Sequence, residues 1–202
     1  MRQLILAAGA LLVAAGALAA AEAPNPQMVL DTSEGVMVIE LFPDKAPRSV
    51  ENIIQYVEDG FYEDTIFHRV IPRFMIQGGG FGQDLVKKPV RAPVANEADN
   101  GLKNDRGTIA LARTSDPHSA TAQFYINLID NDSLDHRTKT DRGWGYCVFG
   151  RVIEGMNVVD RISRARTQTR GPMRDVPALP IVIERATIRY PEAEAEAEEP
   201  AQ

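Results

Sequence analysis

The 202-residue chain contains one cysteine, one tryptophan and three histidines. A single cysteine, Cys147 in Tyr146-Cys147-Val148-Phe149, cannot form an intrachain disulfide. Its apolar neighbours fit a small core residue better than a nucleophile. The histidines, His68, His118 and His136, are far apart and lack ligand spacing of the His-Glu-x-x-His kind, which argues against a metal site. Gly-x-Ser-x-Gly does not occur. Ser115-Asp116-Pro117-His118-Ser119 gathers triad residue types in sequence, but a triad is assembled in space, and Pro with small polar residues marks a turn. Gly78-Gly79-Gly80 is not followed by Gly-Lys-Ser/Thr and opens no helix, so it is no phosphate loop. A glycine run after a strand is better read as backbone that needs unusual dihedrals beside a site. No internal repeat is visible.

Charge is also sparse once the ends are set aside. Residues 1–21 carry one basic residue, Arg2, then an apolar run closing on Ala17-Leu18-Ala19 and Ala19-Ala20-Ala21. That is the layout of a cleaved secretory signal peptide, preferred over an anchoring span because the run is short and no basic cluster follows it. No cysteine follows it to carry a lipid. Residues 22–27 read as a short linker. Residues 191–202 hold Glu192, Glu194, Glu196, Glu198 and Glu199. Such an acidic, low-complexity stretch is expected to be disordered, a solubilising tail rather than a specific binding one. Without Arg2 and these five glutamates the formal charge moves from −6 to −2. A body that near neutral carries no electrostatic footprint for nucleic acid. Export without disulfides also requires a fold stable from its core alone.

Residues 28–190 remain, enough for one domain with a proper core. Met28–Thr32 and Val36–Leu41, joined through Ser33-Glu34-Gly35, predict a hairpin. Pro47 suits a first helical turn, Val50, Ile53, Ile54 and Val57 form one apolar face, and Gly60 supplies the stop. Further strands are expected at Ile66–Ile71, Phe74–Gln77, Thr108–Ala112, Phe124–Leu128, Cys147–Val152 and Ile181–Ile188, with a second helix over Met156–Ile162. About eight strands without a β-α-β rhythm predict a mainly β fold, an antiparallel barrel or sandwich capped by helices. The segments 82–106 and 129–145 are too long and polar for turns, and long loops on a β scaffold often carry function.

Arg69 lies in a strand-like run, and Gln77 is eight residues on; even spacing places them on one face, although Pro72 interrupts the register. With Phe74 and Met75 they make an apolar surface bearing a few donors. That suits a ligand groove or, equally, a core arginine in a barrel wall.

The segment Phe67-His68-Arg69-Val70-Ile71-Pro72-x-Phe74-Met75-Ile76-Gln77-Gly78-Gly79 resembles the central signature of the cyclophilin family. Ala46-Pro47-Arg48-Ser49-Val50-Glu51-Asn52, Asp59-Gly60-Phe61-Tyr62, Gly107-Thr108-Ile109-Ala110-Leu111-Ala112-Arg113, Gln123-Phe124-Tyr125-Ile126 and Val148-Phe149-Gly150-Arg151-Val152 extend the similarity over residues 28–190. Ala112-Arg113-Thr114 and Ser119-Ala120-Thr121-Ala122-Gln123 resemble the exported bacterial branch.

The resemblance implies a closed eight-stranded antiparallel β-barrel capped by two α-helices, working as a peptidyl-prolyl cis-trans isomerase without cofactor or metal. It implies Arg69 as the catalytic residue and Phe74, Met75, Tyr125 and Leu134 as the wall of a proline pocket. Gln77 and Gln123 would orient the substrate backbone. Ala112 and Arg113 would hold it by their main chain, with His68 and Tyr146 lining the site. Val70 and Ile71 are expected to fill the barrel.

Three departures stand out: Tyr125 replaces the family's usual Phe, Ser133 a Trp common in eukaryotic members, and Tyr146 a common His. The missing Trp implies weak cyclosporin binding. The expected partners are proline-containing polypeptides, met as a monomer in the periplasm or after secretion, with no nucleic acid and no stable membrane association. Two other readings compete: a holdase that grips proline segments without turnover, and an adhesive exported β-domain. The second leaves Arg69 and Gln77 unexplained.

Overall fold

The computed structural model describes residues 24–192. The signal-peptide reading of 1–21 and nearly all of the acidic tail lie outside the described residues. Ten strands and two helices follow in order: β1 Gln27–Thr32, β2 Gly35–Leu41, α1 Pro47–Glu58, β3 Thr65–Ile71, β4 Met75–Gly82, β5 Thr108–Leu111, β6 Phe124–Asn127, β7 Val148–Glu154, α2 Met156–Ile162, β8 Thr167–Arg170, β9 Met173–Pro177 and β10 Val182–Arg189. Eight of them close a barrel in the order β1-β10-β3-β4-β6-β5-β7-β2, every pair antiparallel. Closure leaves the barrel no free strand edge.

Alternation sorts side chains between the inside and outside of this wall. Met28, Leu30, Met37, Ile39, Phe67, Val70, Ile76, Ile109, Phe124, Ile126 and Phe149 fill the interior. Met75, Ala110, Tyr125 and Val148, one register step away, form a second cluster on the outer face. Ile71 joins that outer cluster and is only partly buried, so it does not fill the barrel as the sequence suggested. The reason is alternation: Val70 points in, and its neighbour must point out.

Helix α1 begins at Pro47 but has no side-chain cap of its own. The distant Glu97 supplies one, accepting from Arg48 N at 3.1 Å and from Ser49 N at 2.9 Å. A carboxylate there satisfies orphan amides and meets the positive end of the helix dipole. The helix ends as Gly60 predicts. Gly60 takes φ +65°, while Gly60 N bonds Val57 O and Phe61 N bonds Tyr56 O, the Schellman arrangement. The Phe61 and Tyr56 rings close it at 4.7 Å between centroids.

The β8–β9 hairpin was not visible as strands in the sequence. Its residues are mostly exposed, so no apolar alternation announces them. The one local signal is the turn dipeptide Gly171-Pro172.

The segment 82–106 is tied down at several points. Arg91 N donates to Tyr56 Oη at 2.7 Å, Val94 N to Ala120 O at 2.9 Å and Asn96 N to His118 Nδ1 at 3.1 Å. Those bonds also account for His118. The Ser115–Ser119 run is a turn, with His118 N donating to Asp116 Oδ1 at 2.9 Å. Cys147 is a core residue, 3.3 Å from Ser49 Oγ, and burial pushes its thiol up to about 11.

Candidate active site

Strand pairing builds a row across the outside of the barrel. Arg69 on β3 pairs with Gln77 on β4, Gln77 with Tyr125 on β6, Tyr125 with Ala110 on β5, and Ala110 with Val148 on β7. Arg69 and Gln77 share a face because they are cross-strand partners, not because of even spacing along one strand. The chain reverses between them, Phe74 N bonding Ile71 O at 3.1 Å with Arg73 at φ +60°. Pro72, which broke the register argument, sits in the turn.

Above this row lies a cavity of about 150 Å³ lined by Arg69, Phe74, Met75, Gln77, Ala112, Arg113, Tyr125, Leu134 and Tyr146. Its size suits a single ring rather than a drug-sized ligand, for which ~300–1,000 Å³ is usual. Larger concavities exist. The one bounded by Phe42, Leu102, Arg106, Arg151 and Met156 measures about 500 Å³, but Arg106 and Arg151 are paired there with Asp160 and Glu40. Convergent donors over an apolar floor occur at the smaller one.

The polar rim is a chain of side chains. Arg69 Nη1 lies 3.5 Å from Gln77 Oε1, and Gln77 Nε2 donates to Gln123 Oε1 at 3.0 Å. Gln123 thus stands one hydrogen bond behind the lining residues. The glycine run makes this possible in two ways. Gly79 has φ +75°. Gly80 has an ordinary φ but faces Gln123, and a Cβ there would be 2.4 Å from Gln123 Cγ. Unusual dihedrals therefore explain Gly79, and close approach explains Gly80.

The far rim is aromatic. Tyr125 and Tyr146 meet edge-on at 5.7 Å, and the Arg113 guanidinium covers the Tyr146 ring at 4.7 Å. Arg113 Nε donates to Gly145 O at 2.9 Å, which fixes that stack.

His68 is not among the lining residues. Between Phe67↔Gly78 and Arg69↔Gln77, strand β3 advances two residues and β4 one. His68 is the extra residue of this bulge, and a bulge re-aims its side chain. It is buried against Phe81, ring centroids 4.6 Å apart, with Nδ1 unpartnered. Burial lowers its pKa from 6.5 to about 4, and the neighbouring Arg69 charge adds to the shift.

A buried network that the sequence did not reveal supports the floor. Tyr125 Oη donates to Asn104 Oδ1 at 2.7 Å, and Asn104 N donates to Asp135 Oδ1 at 2.8 Å. Asn131 Nδ2 holds Phe74 O at 2.9 Å and Asn127 Oδ1 at 2.7 Å. Burial acts to raise the Asp135 carboxyl, yet hydrogen bonds from Asn104 and the Lys103 ammonium outweigh it and the pKa falls below the usual carboxylate range. Burial also lifts the Tyr125 phenol well above its ordinary value, keeping it a neutral donor. Asn104 and Asn131 lie in segments that read as loops in sequence, and only the fold shows that they are buried.

A closed barrel with a ring-sized cavity on its outer wall, rimmed by the Arg69 and Arg113 guanidinium groups and the Gln77 amide, defines the class. The cyclophilin-type peptidyl-prolyl cis-trans isomerase/CLD family model matches residues 27–188. The chain is 57% identical over 159 residues to the peptidyl-prolyl cis-trans isomerase cyp18 of Streptomyces antibioticus, covering 79% of this chain and 96% of that protein. It is 53% identical over 157 residues to peptidyl-prolyl cis-trans isomerase B of Escherichia coli strain K12, covering 78% and 96%. A Cryptosporidium parvum cyclophilin, solved in the presence of the dipeptide Ala-Pro, shares the fold with a TM-score of 0.66 at 24% identity, over 81% of this chain and 98% of that one. The chain belongs to the cyclophilin family and is a peptidyl-prolyl cis-trans isomerase.

Proposed function

We propose that Arg69 catalyses rotation about X–Pro bonds of exported polypeptides by donating a hydrogen bond to the prolyl nitrogen as the amide twists. The observation that carries this is the guanidinium of Arg69 on the rim of a ring-sized cavity walled by Phe74, Met75 and Tyr125, beside Gln77 and one hydrogen bond from Gln123. The planar amide resists rotation by about 18–20 kcal/mol. Cis and trans X–Pro forms differ by only about 0.5–1 kcal/mol but exchange over tens to hundreds of seconds. A catalyst must therefore bind the twisted amide better than either planar form. Twisting returns a lone pair to nitrogen, and a fixed, always-charged donor favours that state. One charge-assisted hydrogen bond of about 1.5–3 kcal/mol accounts for roughly ten- to a hundredfold in rate.

The rest falls to positioning. Phe74, Met75, Tyr125 and Leu134 would grip the ring while Gln77 orients the flanking peptide. The Ala112 amide is engaged by Gln123 O at 2.9 Å, so the edge would hold substrate through the Ala112 carbonyl and the Arg113 main chain. His68 would act from behind the wall. Ser133 is small and exposed beside Leu134, which supports weak cyclosporin binding. The protein would work as a monomer.

An NMR titration with a proline peptide tests the site. Substoichiometric protein should produce cis/trans exchange, with shift changes at Met75, Gln77 and Tyr125. Changes centred on Phe42 and Met156 would contradict it. Export to the periplasm, or beyond, rests on Arg2, the apolar run and the small residues that close it. Intact mass should place the mature N-terminus after Ala19 or Ala21; an uncleaved chain in the cytoplasmic fraction would contradict it.

A further inference from the structure

The geometry points to Asp175 as a positioning residue for Arg69, an inference that rests on the catalytic reading of Arg69. Asp175 belongs to the β8–β9 hairpin, which lies outside the barrel and packs beside β3. Its Oδ2 is 4.0 Å from Arg69 Nε. Arg69 Nη1 lies 3.5 Å from Gln77 Oε1. The two partners therefore sit against different nitrogens of one planar group. A guanidinium is a rigid fork, so partners on two different nitrogens bias the orientation of its plane.

The hairpin is built to present this carboxylate. Asp175 has φ +60°, a conformation that non-glycine residues adopt sparingly and that Asp and Asn tolerate best. Its neighbours fix it: Val176 is buried, Gln168 pairs with Val176, Thr167 pairs with Pro177, and Ala178 N bonds Arg166 O at 2.8 Å. The side chains of Arg69 and Asp175 are 45% and 42% exposed. An ion pair that open contributes little to stability. Its consequence is orientation, at the residue where orientation sets the rate.

The test is steady-state isomerisation of a proline peptide by the full chain, comparing wild type, Asp175→Asn and Arg69→Ala. Asparagine keeps the backbone conformation and removes the charge. Asp175→Asn should lower kcat about three- to fivefold, the size of one exposed ion pair, leave KM unchanged, and shift the Arg69 Nε–H signal in side-chain NMR spectra. Unchanged kcat, a loss confined to KM, or an unmoved Nε–H signal overturns the assignment of Asp175 while Arg69→Ala remains slow. Wild-type turnover in Arg69→Ala overturns the reading of Arg69 and the role of Asp175 with it.

Discussion

Gly80 and Gln123 touch across the β4–β6 seam, and a Cβ on Gly80 would lie 2.4 Å from Gln123 Cγ. Gln123 accepts the Gln77 amide at 3.0 Å, so anything that moves Gln123 loosens the rim beside Arg69. Gly80→Ala should destabilise the fold by about 1–3 kcal/mol through overpacking. It should also lower kcat/KM about three- to tenfold, the worth of one neutral hydrogen bond. Denaturant melts beside a peptide isomerisation assay check both. Undiminished activity would show that Gln123 has no part in orienting substrate.

His68 gives stability a pH dependence. Its folded pKa is depressed to about 4 from 6.5, burial being the main cause. Between those values the unfolded chain binds a proton that the folded chain does not, so stability rises with pH. The contribution is present above pH 6.5 and is lost as pH falls towards 4, about 3 kcal/mol in all. Calorimetry from pH 7 to 4.5 should show Tm falling, and His68→Gln should flatten the fall between pH 6.5 and 5. An equal slope in the variant would contradict the assignment.

Glu97 caps α1 from a distant loop, accepting from Arg48 N, Ser49 N and Ser49 Oγ. Glu97→Ala should cost about 1–2 kcal/mol, the upper range for a lost cap, measured by urea melts. Isomerase kcat/KM should stay at the wild-type level, because no atom of Glu97 lines the cavity. A stability change within error would mean that water replaces the cap.

Much of this was legible in the sequence, for identifiable reasons. Strands with one wet face announce themselves, as β1 does with its alternating burial. The helix faces and the Gly60 stop rest on local chemistry and were readable too. Of the nine residues lining the cavity, residue patterns pick out Arg69, Phe74, Met75 and Gln77, still leaving Arg69 open between groove and core; the other five are legible only through family resemblance. Three things were hidden. The β3 bulge, which turns His68 away from the cavity, is a pairing defect that no single strand reveals. Asn104 and Asn131 look like loop residues until the fold buries them. The β8–β9 hairpin carries too little apolar pattern to be seen, yet it delivers Asp175 to Arg69.

The central claim is that Arg69 supplies the donor for the twisted amide. The most direct measurement is kcat/KM for cis-to-trans isomerisation of a proline peptide by Arg69→Ala beside wild type, with circular dichroism and Tm recorded for both. A folded variant that has lost about ten- to a hundredfold in kcat/KM is the predicted result. A folded variant turning over at the wild-type rate would contradict it.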